Sequence, residues 1–85
     1  MHLKRICVVD GQGGGIGSAV IRKLKEIFEE RIEIIALGTN EIATANMLKA
    51  KANRGAFGEN SIVQTLNEAD LIIGPFGIIM AHAMM

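Results

Sequence analysis

The run Asp10-Gly-Gln-Gly-Gly-Gly-Ile-Gly17 stands directly behind the apolar stretch Ile6-Cys-Val-Val9 and ahead of a segment with helical periodicity. A strand that breaks into glycines and continues as a helix gathers main-chain amides at a helix N-terminus. There the positive end of the helix dipole favours an anion. The chain is therefore expected to open with a strand–loop–helix unit whose glycines 11, 13, 14, 15 and 17 cradle a phosphate. What reaction would follow, the loop does not say.

The elements around the loop fit that reading. Leu3 to Val9 is mostly unalternating and β-branched, as in a strand covered on both faces. From about Ile16 to Glu30, residues Ile16, Val20, Leu24, Ile27 and Phe28 recur at helical spacing, with Arg22, Lys23, Lys25, Glu26 and Glu29 between them. A second strand, Ile32 to Leu37, completes a βαβ unit within about 35 residues. Gly38-Thr39-Asn40 then ends the strand and caps a second helix, about Glu41 to Ala52, which buries Ala43, Met47 and Ala50. Residues 53–58 read as a loop in which a third strand is very short or absent. A short helix capped by Asn60 or Ser61 points Ile62, Val63 and Leu66 inward, and Asp70 to Gly74 is the next strand. Gly74-Pro75 would turn the chain into a final apolar helix from about Ile78, cut short at Met85.

This gives a single domain over residues 1–85, of α/β class: a three-layer, Rossmann-like, doubly wound parallel sheet with strand order 3-2-1-4. In that order strands one and four meet at the topological switch point, where ligands bind. The turn at Gly74 and Pro75 would then face the glycine loop across one cleft. A final helix apolar nearly all round, with His82 as its polar interruption, needs burial on more than one side. A homo-oligomer assembled through that helix is one expectation, and further residues beyond Met85 are another.

The spacing of the glycines separates rival motifs. A P-loop needs a lysine and a hydroxyl after its last glycine, but Gly17 is followed by Ser18 and Ala19. The strict G-x-G-x-x-G fingerprint also fails, since Ile16 stands where its third glycine belongs. G-x-x-x-G-x-G does fit, through Gly11, Gly15 and Gly17. With its Gly15-Ile16-Gly17 ending it resembles the cofactor turn of short-chain dehydrogenases, which implies NAD or NADP as cofactor. Those enzymes protonate their substrate with a tyrosine, and this chain has none. The acidic residue that grips a ribose about 20 residues past the loop is missing too. Thr39 and Asn40 occupy that place, where they could bond a ribose, tolerate a 2′-phosphate, or simply cap a helix. The cofactor set expected is thus Asp10, Gly11, Gln12, Gly13, Gly14, Gly15, Ile16, Gly17, Thr39, Asn40, Gly74 and Pro75, with Ser18 as a secondary contact.

Asp10 has three readings. Its oxygens could accept hydrogen bonds from the loop's own amides, hold a Mg²⁺ that bridges to phosphate in a phosphotransfer enzyme, or grip a hydroxyl or amine of a ligand that is not a phosphate. Arg54, Glu59 and Asn60 fall in loops that a phosphate or sugar could reach, although an ordinary solvated surface explains each of them better. No catalytic set and no metal-site spacing is evident, and His2 and His82 are poor candidates for chemistry.

Charges balance at zero, nine basic against nine acidic residues, and no basic stripe emerges, so nucleic acid is not an expected partner. The apolar run from Leu71 is shorter than the roughly 20 residues a membrane span needs and is broken at Gly74-Pro75, so no membrane is expected either. Cys7, the single cysteine, suits a reducing cytoplasm and packs as a small hydrophobe.

Taken together, residues 9–17, Ala36-Leu-Gly-Thr-Asn40, Gly58-Glu-Asn60 and Gly74-Pro-Phe-Gly-Ile78 resemble a domain-of-unknown-function family of small bacterial proteins. The resemblance implies a Rossmann-like fold and no established activity. The expected function is a cytoplasmic nucleotide- or dinucleotide-binding module taking a small-molecule nucleotide. The alternative is a regulatory or interaction protein that keeps the fold without a cofactor.

Overall fold

The computed structural model describes residues 4–80, Met80 through its backbone alone. In chain order the elements are β1 (Lys4–Asp10), α1 (Gly15–Phe28) with a 3-10 turn at Glu29–Arg31, β2 (Ile32–Gly38), α2 (Glu41–Lys49), β3 (Arg54–Phe57), α3 (Glu59–Leu66), β4 (Leu71–Gly74) and β5 (Gly77–Met80). They form one sheet in the order β3-β2-β1-β4-β5, the first four strands parallel and β5 antiparallel to β4. This is the Rossmann-like order 3-2-1-4, extended by one strand.

Side chains alternate across the central strands and so divide the core in two. Ile6, Val8, Ile32, Ile34 and Ala36 face α1 and α2, where they meet Ile21, Met47 and Ala50. Cys7, Ile35 and Leu37 face the other way and pack with Ala69 and, from α3, Ile62 and Leu66. Helices on both faces of the sheet make three layers. Both sides of β1 and β2 are covered, which is why these strands read as continuous apolar runs. Burial pushes the Cys7 thiol up to about 11, so it stays protonated at neutral pH and packs as an apolar group.

Both outer parallel strands are aligned by the same device. Asn53, just before β3, donates its amide to the Ile34 carbonyl and accepts the Ile34 amide on its side-chain oxygen, each at 2.8 Å. Asp70, just before β4, does the same to Arg5 of β1, at 2.9 and 2.8 Å. Residues 53–58 thus hold a real, though short, third strand.

Helix α3 begins at Glu59 behind Gly58, so Asn60 and Ser61 lie inside it and do not cap it. Three further expectations are overturned. First, residues 77–80 are a strand and not the start of a helix; residues 81–85, the rest of the expected truncated helix, lie outside the described residues, as does His2. Gly74 and Gly77 pair across a two-residue hairpin, with Pro75 at its first central position and Gly77 at φ 123°. An unbroken apolar run carries no period, and the β-branched pair Ile78-Ile79 favours the extended form. Second, Ile16, Ile27 and Val63 point outward, at 73%, 51% and 62% exposed, although each lies on a face expected to be buried. Third, Arg54 is not near the loop. It opens β3 at the amino end of the sheet, where it meets Glu33 at 3.8 Å and Glu68 at 3.5 Å. Arg5 bonds the same two carboxylates at 2.6 and 3.4 Å. The four charges close a half-exposed ring that ties β1, β2 and β3 to the end of α3.

Candidate functional site

The glycine loop occupies the carboxyl end of β1, between β2 and β4, and leads into the first turn of α1. Asp10 organises it from below. Its Oδ1 accepts the Gly11 amide at 2.8 Å and its Oδ2 accepts the Gly17 amide at 2.6 Å, so the carboxylate spans the loop from end to end. Of the three readings of Asp10, this geometry matches the first. It also places a fixed negative charge under the α1 N-terminus, where the dipole favours one. Among the described residues no three His, Cys, Asp or Glu side chains come together as a metal site would require.

Packing explains which glycines are obligatory. Gly14 lies at φ 71°, and a Cβ there would stand 2.6 Å from the Ala43 carbonyl oxygen. At Gly17 a Cβ would meet the Met47 sulfur at 2.6 Å and the Asp10 Cβ at 2.9 Å. These two glycines let α1 close onto α2 and β1. Gly13 and Gly15, by contrast, face open space and are exposed.

The loop's carbonyls are taken up by α2. Asn40 donates from Nδ2 to the Gln12 carbonyl at 3.1 Å, while its Oδ1 caps the helix by accepting the Ala43 amide at 2.8 Å. Asn46 donates to the Gly13 carbonyl at 2.8 Å. The sequence reading did not single out Asn46; a polar asparagine two turns into an otherwise apolar helix face was the signal. With the carbonyls occupied, the loop presents its donors. Gly11, Gly14 and Gly17 donate internally, but the amides of Gln12, Gly13, Gly15 and Ile16 have no partner among the described residues. Gln12 at φ 49° and Gly14 at φ 71° flank Gly13, which lacks a positive φ, an alternation like that of anion-holding nests.

Thr39 stands beside this row. Its amide donates to the Asp10 carbonyl at 3.0 Å, and its exposed hydroxyl lies next to Gly11, where an added Cβ would be 2.9 Å away. Asn40 is spent on the cap and the loop. Ser18 is buried within α1, its hydroxyl without a partner among the described residues, and is closed off from the open rim. On the other side Gly74 and Pro75 do come to the loop. With Asp10, Ile16, Gly17 and Val20 they line a cavity of about 30 Å³ at the switch point. That is room for about one water, far below the roughly 300 Å³ at which ligand pockets begin. A larger groove, about 600 Å³, sits between the C-terminal ends of α1 and α2, with Lys25, Glu29, Glu30 and Lys51 on its walls. It has no connection to the loop.

A family model described as a domain of unknown function, DUF3842, matches residues 5–85. The chain belongs to that family. No curated protein and no solved structure matches it. No described helix is long and apolar enough to cross a membrane.

Proposed function

We propose that this DUF3842 protein binds a nucleotide, or one half of a dinucleotide of the NAD or NADP type, by its phosphate. The observation that carries the reading is a row of amides at the loop and first turn of α1, those of the exposed residues Gln12, Gly13, Gly15 and Ile16, which have no partner among the described residues. Unsatisfied donors on a rigid loop are held in shape by Asp10 from below and by Asn40 and Asn46 from α2. They need no rearrangement to accept phosphate oxygens. Gly74 and Pro75 bound the site on the β4 side, and Thr39 bounds it on the β2 side. A reducing, cytoplasmic setting suits the buried Cys7 thiol.

The test is thermal stabilisation by NAD, NADP, FMN, ATP and AMP. A ligand at 100 times its Kd adds about 2.7 kcal/mol to folding. The variant Gly15→Val keeps the unliganded melting temperature, because nothing lies within 4 Å of its Cβ position, yet it fills the rim and abolishes the ligand's effect. No stabilisation by any of the five contradicts the reading.

A second reading, self-association, is favoured by one observation. Among the described residues β5 is a sheet edge, without charge or proline, and its Ile78 and Ile79 are 67% and 50% exposed. A second copy pairing along this edge would cover them. Sedimentation of the unliganded protein distinguishes monomer from dimer.

A further inference from the structure

We infer that the ligand is a nucleoside 5′-phosphate whose base stacks on Phe57, with its sugar over Thr39 and its phosphate on the loop. This rests on the phosphate reading above and adds which side of the loop the ligand takes and what recognises its base. Three neighbouring strands end in succession along the carboxyl edge of the sheet. β1 ends at the unpartnered amides, β2 leads into the exposed Thr39 hydroxyl, and β3 ends at Phe57, paired in register with Gly38. Phosphate donors, a hydroxyl partner for a sugar and an aromatic ring therefore follow one another in the order that phosphate, ribose and base follow in a nucleotide. Two strand spacings separate the ends of β1 and β3, about 10 Å. That matches the reach of one nucleotide and is too short for two.

Phe57 is singled out among the aromatic rings by its position. It is 50% exposed on the α2 side of β3, the side on which a Cβ at Gly55 would meet Thr44 and Leu48, while Ala56 turns to the opposite core. Gly58, which follows Phe57 at φ 95°, has nothing within 4 Å of its own Cβ position. Phe76 is folded over Gly74 on the β4 side, and Phe28 lies at the far end of α1 with the Arg31 guanidinium over its ring at 5.8 Å. The face of an aromatic ring accepts any base, so this site selects for a base without selecting strongly among bases. The sugar meets no carboxylate from β2, and the 2′-position is met by the neutral Thr39.

Titration calorimetry with AMP and ribose 5-phosphate, on the whole chain and on Phe57→Ala and Phe57→Leu, tests the assignment. AMP should bind the parent protein at least about tenfold more tightly than ribose 5-phosphate, the size of one base–ring stack. Both variants should bring AMP down to the ribose 5-phosphate level and leave ribose 5-phosphate unchanged. Phe57→Leu keeps an apolar side chain at the edge, so it answers for folding should the alanine variant melt early. Equal binding of the two ligands to the parent, or undiminished AMP binding in both variants, overturns the role of Phe57 while the phosphate site stands. If neither ligand binds the parent protein, the phosphate reading falls and this inference falls with it.

Discussion

Gly14→Ala is expected to destabilise this domain strongly. The residue sits at φ 71°, where a β-carbon costs about 1–2 kcal/mol. The clash costs more, since the new methyl would lie 2.6 Å from the Ala43 carbonyl oxygen and 3.0 Å from its Cα. Both belong to the backbone of α2, so no side chain can swing away, and α1 must separate from α2. We expect a loss of at least about 3 kcal/mol, against a total that for a domain of this size is on the order of 4–13 kcal/mol. Urea unfolding measures it. Gly15→Ala, one residue later and facing open space, should change stability by less than about 1 kcal/mol, with helix propensity favouring the alanine. Similar losses in both variants would contradict the packing described.

The second large effect belongs to Asp10. Each of its carboxylate oxygens accepts one loop amide, and hydrogen bonds to a charged group contribute about 1.5–3 kcal/mol. Asp10→Ala leaves the Gly11 and Gly17 amides without acceptors and the α1 dipole without its neutralising charge. A destabilisation of about 2–4 kcal/mol follows, read again from urea unfolding. Asp10→Asn keeps one acceptor but turns its amide NH2, itself a donor, towards the other N–H, so it should fall between the parent and the alanine variant. If Asp10→Asn were as stable as the parent, the carboxylate would not be spanning the loop as described.

Much of this was legible in the residues. The strand–glycine–helix junction, the βαβ unit and the order 3-2-1-4 follow from apolar runs and turn residues that act locally, and Asn40 caps α2 as its position indicated. The third strand was marginal because four residues containing a glycine carry little pattern; Asn53 makes it a strand by a long-range bond to Ile34 that no local signal announces. The end of the chain misled for a different reason. Ile78-Ile79-Met80 is apolar at every position, so helix and strand share the same pattern, and a tight turn at Pro75-Phe76 decided between them.

The candidate site was legible in its parts more than in its balance. Glycines and a helix start point to a cradle, but which amides stay available depends on the partners each group finds in three dimensions. Asp10 takes two of them, and Asn46 settles a carbonyl from a neighbouring helix. Arg54 shows the converse. A basic residue in an apparent loop looked within reach of a ligand, and the parallel register carried it to the opposite end of the sheet, against Glu33 and Glu68.

Amide-resolved NMR during titration with AMP tests the central claim most directly. The account predicts that the Gln12, Gly13, Gly15 and Ile16 signals move together and saturably, while the amides of Lys25, Lys51 and Asn53 around the distant groove stay fixed. Saturable binding that leaves those four signals in place, or no binding at all, would contradict it.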